Sequence, residues 1–286
     1  VGVGLLEYSR RELLLNPKVI SANQVESYFR VNSLFFDPNI YGRFLAIVML
    51  AVTAGMLCST RRREVVAAGA ALAVLWVGLM TSISQSSIAA LLLGLGVLAA
   101  LRFDARRTLA VGVGLVVAGT VFVLAAGSAI RVDLSSSKKA DQATTGRYNL
   151  IRGGIDLFEE RPLTGFGPGS FALEYRSRQR SSNESAVSAS HTIPITIAAE
   201  QGVVGLLLYL LVLAGGLRRL FGAGVRRAPA RMAMAAGFVA LVLHTLLYAD
   251  FLEDPITWTL LGIGTALASA GAGRPASGRA RARAAG

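Results

Sequence analysis

Seven apolar blocks dominate this chain, at about residues 44–60, 65–83, 86–101, 108–127, 195–217, 232–249 and 256–273. Each is close to the ~17–25 residues that a helix needs to cross the hydrocarbon core of a bilayer. In lipid the backbone must satisfy its own hydrogen bonds, so only helices and closed barrels span a membrane, and these blocks are too long for barrel strands. The pattern therefore predicts an all-α, polytopic transmembrane helical bundle of about seven spans. It also predicts one large extracytoplasmic loop containing short helices. The division read along the chain is an extracytoplasmic segment over 1–43, four transmembrane helices over 44–127, the loop over 128–191, three transmembrane helices over 192–273 and a basic tail over 274–286. A composition of 53% hydrophobic and 16% charged residues agrees with this reading. No internal repeat and no inverted pair of broken helices is visible, which argues against a secondary-transporter design.

A formal charge of +12 would point to nucleic acid in a soluble protein. Its distribution here points to topology instead. Arg61, Arg62 and Arg63 follow the first block, and Arg102, Arg106 and Arg107 follow the third. Arg218, Arg219, Arg226, Arg227 and Arg231 follow the fifth, and Arg274, Arg279, Arg281 and Arg283 sit in the tail. These linkers hold 15 basic residues against two acidic ones, leaving 14 basic and 15 acidic residues for the other side. The positive-inside rule places the Arg-rich linkers and the C-terminus in the cytoplasm of a multi-pass protein of the cell membrane, with the loop 128–191 outside. The tail is read as an anchor on membrane lipids, with no nucleic-acid partner. Spans two and three, joined through Ser82–Ser87, are read as a tight helical hairpin. Cys58 is read as a small buried hydrophobe.

The loop carries the residue types suited to chemistry. Thr145 is placed to cap a helix over about 147–160, with Tyr148, Ile151, Ile155 and Phe158 as its apolar face and Pro162 as its stop. Gly165-Phe166-Gly167-Pro168-Gly169 forms a tight turn. His191, at the re-entry into the membrane, is suited to accept a proton near neutral pH, since an unperturbed histidine has a pKa of about 6.5. Arg147 and Arg152 offer fixed charge and several donors for a phosphate or pyrophosphate, or else a headgroup contact or surface ion pair. Five positions apart on one helix, they point roughly 140° from each other, so at most one of them, preferably Arg147, faces a shared site. No Asp-x-Asp and no His/Cys cluster marks a metal site, and no cofactor is expected.

Three stretches resemble the O-antigen ligase and O-antigen polymerase-like membrane proteins. Arg30-Val31-Asn32-Ser33-Leu34-Phe35-Phe36-Asp37-Pro38-Asn39 is similar to their Arg-x-x-(Gly/Ser)-x-Phe-x-x-Pro-Asn segment. Thr145-Gly146-Arg147, followed by Arg161-Pro162-Leu163-Thr164-Gly165-Phe166-Gly167-Pro168-Gly169-Ser170-Phe171, resembles their Gly-Arg and glycine-rich loop. His191, followed by Ala199-Glu200-Gln201-Gly202-Val203-Val204-Gly205, resembles their entry into the next span. The chain looks like the C-terminal two thirds of such a protein. The resemblance implies a glycosyltransferase-like enzyme that acts outside the membrane on an undecaprenyl-pyrophosphate-linked glycan. The acceptor would be a hydroxyl of a glycan, lipid or protein. It implies His191 as general base, and Arg147, Arg30 and Arg152 as the donor-pyrophosphate cations. Glu200 and Asn39 would serve acceptor contact or structural support. Where ligases carry a Ser/Thr-Arg pair, this chain has Ser84-Gln85. Gln85 then contributes a hydrogen bond without charge, and the charge shifts to Arg30 or Arg43.

Other marked residues have two readings each. His244, inside the sixth span, is either a satisfied interhelical hydrogen-bonding group or a functional one. Asp250, Glu253 and Asp254 form either a solvated turn or an acceptor contact. Glu200 reads as a cap or pairing group rather than a catalyst. Alternatives to a transferase are a transporter or flippase for lipid-linked glycan and a non-catalytic partner in envelope polysaccharide assembly.

Overall fold

The computed structural model describes residues 1–15, 23, 28–125, 147–179, 192–248 and 251–272. Among these residues there are ten α-helices and no strands: α1 (Gly2–Arg10), α2 (Pro38–Cys58), α3 (Arg62–Ser82), α4 (Gln85–Arg102), α5 (Ala105–Ala125), α6 (Arg147–Glu160), α7 (Phe171–Gln179), α8 (Ile193–Leu220), α9 (Pro229–Leu247) and α10 (Pro255–Ala272). Each of the seven apolar blocks falls on a helix. Five of them, α2, α3, α4, α8 and α9, are long and apolar enough to cross a membrane. Proline stands in the first turn of α2, α8 and α9, where its missing N–H costs no helical bond. Asp37 caps α2 by accepting the Asn39 N–H at 2.6 Å.

The bundle is built around α9. It packs against α2, α4, α8 and α10, while α2 lies between α3 and α4, and α5 lies on α4. The expected tight hairpin of α3 and α4 is therefore not formed along their length. The chain reverses at Ile83, which has a left-handed φ of 48°, and α2 wedges between the two diverging helices. Small residues permit the wedge. A Cβ on Gly78 would press on the Tyr41 hydroxyl, and one on Gly94 would overlap the Leu50 side chain. Leu45, Leu50, Leu79, Leu91, Leu98 and Phe238 fill the buried core. Val66, Val74 and Val77 on α3, Leu109, Val113 and Val116 on α5, and Val204, Leu207 and Leu211 on α8 are exposed, as suits a helix whose solvent is lipid.

The basic linkers meet at one end. Arg102 Nε donates to the Leu57 carbonyl at 3.1 Å, and Arg226 Nη2 donates to the Ala100 carbonyl at 3.3 Å. Arg231 donates to the carbonyls of Ala223 and Gly222 at 2.7 and 3.3 Å. These cations satisfy carbonyls at or just past helix C-termini, where the helix dipole also favours positive charge. The opposite end carries α1, α6 and α7. There α1 packs on α3, and the buried Glu7 carboxylate accepts the N–H groups of Ser33 and Leu14 at 2.9 and 3.1 Å.

Candidate functional site

Two polar assemblies occupy the end opposite the basic linkers. The first is built on the turn between α3 and α4. Ser84 caps α4, its hydroxyl receiving the Ser87 N–H at 3.4 Å. Arg30 reaches across this turn. Its Nε donates to the Ser82 carbonyl and its Nη2 to Asn39 Oδ1, both at 3.0 Å. Asn23 anchors the Arg30 backbone by exchanging two hydrogen bonds with it, at 2.7 and 2.9 Å. Ser84 Oγ donates to the same Asn39 Oδ1 at 3.0 Å. Behind it, Ser86 and Ser87 Oγ lie 3.2 and 3.1 Å from Nε2 of the fully buried His244. Arg30 and Asn39 are thus in contact, and Gln85, the first residue of α4, stands beside them with an exposed side chain.

The second assembly is the glycine turn docked on a break in α8. Gly202 interrupts the helix with φ 63° and ψ −162°. The N–H groups of Phe166 and Gly167 donate to the carbonyls of Ala199 and Glu200 at 3.2 and 2.7 Å, and the Val203 N–H donates to the Pro162 carbonyl at 2.7 Å. The Glu200 carboxylate accepts the N–H groups of Gly169 and Phe171 at 2.9 and 3.0 Å, capping α7 with negative charge. Glu200 therefore supports the loop rather than pointing at a free acceptor.

The helix expected over 147–160 is present as α6, but its apolar face differs. Leu150 and Leu157 are buried against Phe171, Tyr175 and Ala199, whereas Ile155 is 40% exposed. Gly153 and Gly154 decide this. Their missing Cβ atoms admit the rings of Tyr175 and Phe171 and the Ile195 side chain, so the closest contact lies on the glycine face and not on the Ile151–Ile155–Phe158 stripe. The guanidinium groups of Arg161 and Arg178 both lie over the Phe166 ring, 4.6 and 4.7 Å from its centroid. Arg178 also pairs with Glu160 and Glu174. The hydrogen bond from Arg178 holds the Glu160 carboxyl below its ordinary value, and the two carboxylates raise the pKa of Arg178. An open cavity of about 220 Å³ beside them is lined by Gly153, Asp156, Leu157, Tyr175 and Arg178.

Of the remaining sequence-derived residues, Arg152 is exposed on α6, and Arg147 is the first residue of that helix, with its side chain outside the described residues. His191 also lies outside them, immediately before Thr192, which precedes the first turn of α8. Asp254 is not a solvated group. It is buried, pairs with Arg43 at 2.9 Å, and caps α10 by accepting the Ile256 N–H at 2.9 Å. Burial drives this pairing, since neither charge keeps its water. The available signal was an arginine four residues after Asn39 on one helix, facing an acidic residue at the entrance of another. Among the described residues, no group of three His, Cys, Asp or Glu side chains is placed to hold a metal.

Fold and site define a multi-pass helical membrane protein with its polar machinery concentrated at the end that bears the loop helices. The family model described as O-antigen ligase matches residues 70–210, from within α3 to within α8. Over that stretch, just under half of the chain, the sequence is similar to the O-antigen ligase family. No curated protein matches the chain.

Proposed function

We propose that the protein is a membrane glycan transferase of the ligase or polymerase type. It moves a saccharide from undecaprenyl pyrophosphate to an acceptor hydroxyl at the extracytoplasmic face. The observation that carries this reading is the O-antigen ligase match over 70–210, a stretch that contains Gln85, Arg147, Arg152, His191 and Glu200. In the reaction the acceptor oxygen bonds to the anomeric carbon, the bond from that carbon to the pyrophosphate oxygen breaks, and the hydroxyl proton passes to His191. Developing charge on the leaving pyrophosphate is stabilised by Arg147 and Arg30, with Gln85 as a neutral donor and Arg152 as an outlying cation. Asn39 holds Arg30, and Glu200 holds the glycine turn that follows α6. In this reading seven helices span the membrane, and 1–43 and 128–191 lie outside. Ion-paired and cationic groups near helix ends, such as Arg43 with Asp254, favour surface chemistry over transport, which needs such groups in mid-span.

The test is His191→Ala in cells that carry the polymer. Glycan transfer is lost while the protein still inserts into the membrane at its normal level. Unchanged polymer length and attachment in that variant overturn the catalytic assignment.

A further inference from the structure

His244 is a buried polar group that the proposed chemistry leaves unused. It lies on α9 with 0% exposure, one turn from the helix end, and its ring meets Tyr248 edge to face at 5.7 Å. A fully buried histidine among apolar helices is costly unless hydrogen-bonded. Its Nε2 faces two hydroxyls, Ser86 at 3.2 Å and Ser87 at 3.1 Å.

Proton counting along these hydroxyls gives the network a direction. Arg30 only donates, so the Asn39 atom facing Arg30 Nη2 at 3.0 Å is the carbonyl oxygen Oδ1. Ser84 Oγ, 3.0 Å from that same oxygen, must donate to it and thereby uses its one hydrogen. The Ser84 and Ser87 oxygens stand 2.7 Å apart, a separation that requires a hydrogen between them. Ser84 has none left, so Ser87 supplies it. Ser87 Oγ also lies 3.3 Å from the Asn39 backbone carbonyl, but the 2.7 Å contact with Ser84 is much the shorter and takes its hydrogen. Ser87 then has no hydrogen for His244, so the 3.1 Å contact is made by Nε2–H donating to Ser87 Oγ, with Ser86 Oγ at 3.2 Å as a second acceptor. The chain runs from His244 through Ser87 and Ser84 to Asn39, where it meets Arg30. Successive hydrogen bonds of one polarity strengthen one another in a low-dielectric interior. Gly42 permits the close approach, because a Cβ there would come within 2.7 Å of Ser87 Oγ and 2.9 Å of Ser84 Cβ.

We infer that His244, as its Nε2–H tautomer, is a positioning residue for Arg30. Through Ser87, Ser84 and Asn39 it orients Asn39 Oδ1, which fixes the plane of the Arg30 guanidinium for an anionic ligand of the lipid-pyrophosphate class. That ligand class rests on the proposed function; the coupling of His244 to Arg30 rests on the hydrogen-bond chain alone.

The experiment compares wild type with His244→Gln, His244→Asn, His244→Leu, Arg30→Ala and the Arg30→Ala/His244→Leu double variant, each as the full chain in lipid nanodiscs. One readout is the affinity for farnesyl pyrophosphate, and the other is backbone hydrogen exchange over residues 28–40 and 82–88. Gln places an amide N–H near the position of Nε2, whereas Asn reaches only the position of Nδ1 and Leu donates nothing. His244→Leu and Arg30→Ala should each weaken binding about tenfold, and the double variant should bind no worse than either single variant, since both remove one coupled interaction. His244→Gln should stay within about threefold of wild type, and His244→Asn should behave like Leu. Exchange over both segments should quicken in the Leu and Asn variants and not in Gln. A packing role alone would leave Gln no better than Leu, and that result overturns the inference. So does unchanged exchange in His244→Leu, or binding losses that add in the double variant. If Arg30→Ala binds as wild type does while exchange follows the Gln/Leu pattern, the anion role of Arg30 falls and the coupling stands.

Discussion

Gly165 and Gly202 are reciprocal: each has a φ of +63°, and each turns its missing Cβ toward the backbone of the other's segment. A Cβ on Gly165 would collide with the Glu200 carbonyl, and one on Gly202 with the Leu163 carbonyl. The turn and the broken helix therefore fit only with hydrogen at both positions. Gly165→Ala or Gly202→Ala is expected to cost about 1–3 kcal/mol in backbone strain before any clash is counted. The measurement is hydrogen exchange at the amides of Phe166, Gly167 and Val203, which donate across this interface. Both variants should expose the same amides, and the double variant should fall short of additivity because one interface is lost once.

The Glu160–Arg178 pair gives the loop an acid sensitivity whose sign is fixed. Hydrogen bonding from Arg178 lowers the Glu160 pKa from 4.5, so the folded loop binds that proton less readily than the unfolded chain does. The contribution to stability is full above the ordinary carboxylate value and is lost as pH falls through the lowered one. Exchange protection in α6 and α7 should thus be higher in wild type than in Glu160→Gln at pH 7. The two proteins should converge at pH values well below 4.5. A gap that persists unchanged into that range would show that the pair contributes through packing and not through charge. The effect should be small, because both partners are substantially exposed to solvent.

Sidedness can be checked without any substrate. The basic linkers meet around Leu57, Ala100 and Ala223, at the end of the bundle away from the glycine turn. With Cys58→Ala as background, a cysteine at Ser185 should react with a membrane-impermeant maleimide applied outside intact cells. One at Ala223 should react only after permeabilisation. The reverse pattern would invert the topology and place the proposed chemistry on the wrong face.

What the sequence made legible follows from which interactions are local. Helix positions were readable because apolar length and the first-turn prolines act within one segment. Arg30 and Asn39 were readable as a motif, and they touch. The wedge of α2 between α3 and α4 was not, since it depends on Gly78 and Gly94 meeting side chains far along the chain. The buried face of α6 was misassigned for a related reason. Counting apolar residues favours Ile151 and Ile155, whereas close packing is set by Gly153 and Gly154, which carry no hydrophobic signal. The Arg43–Asp254 pair was hidden because its partners lie on helices that sequence order does not join.

That pair supports the last prediction. Arg43 and Asp254 are nearly inaccessible, with side-chain exposures of 2% and 4%, and their contact ties α2 to the start of α10. Removing one partner strands the other charge in the bundle. Arg43→Met and Asp254→Leu singly should each destabilise by about 3–5 kcal/mol, whereas the double variant, which buries no charge, should recover most of that loss. The Asp254 change also removes the cap on α10, worth about 0.5–2 kcal/mol, so the double variant should remain slightly below wild type. Thermal unfolding of the purified protein in detergent measures all four. Arg43 Nε and Nη1 find no hydrogen-bond partner among the described residues, so the guanidinium is held by a single contact. If the single variants melt like wild type, lipid or water must reach Arg43, and the pair is not sealed inside the bundle.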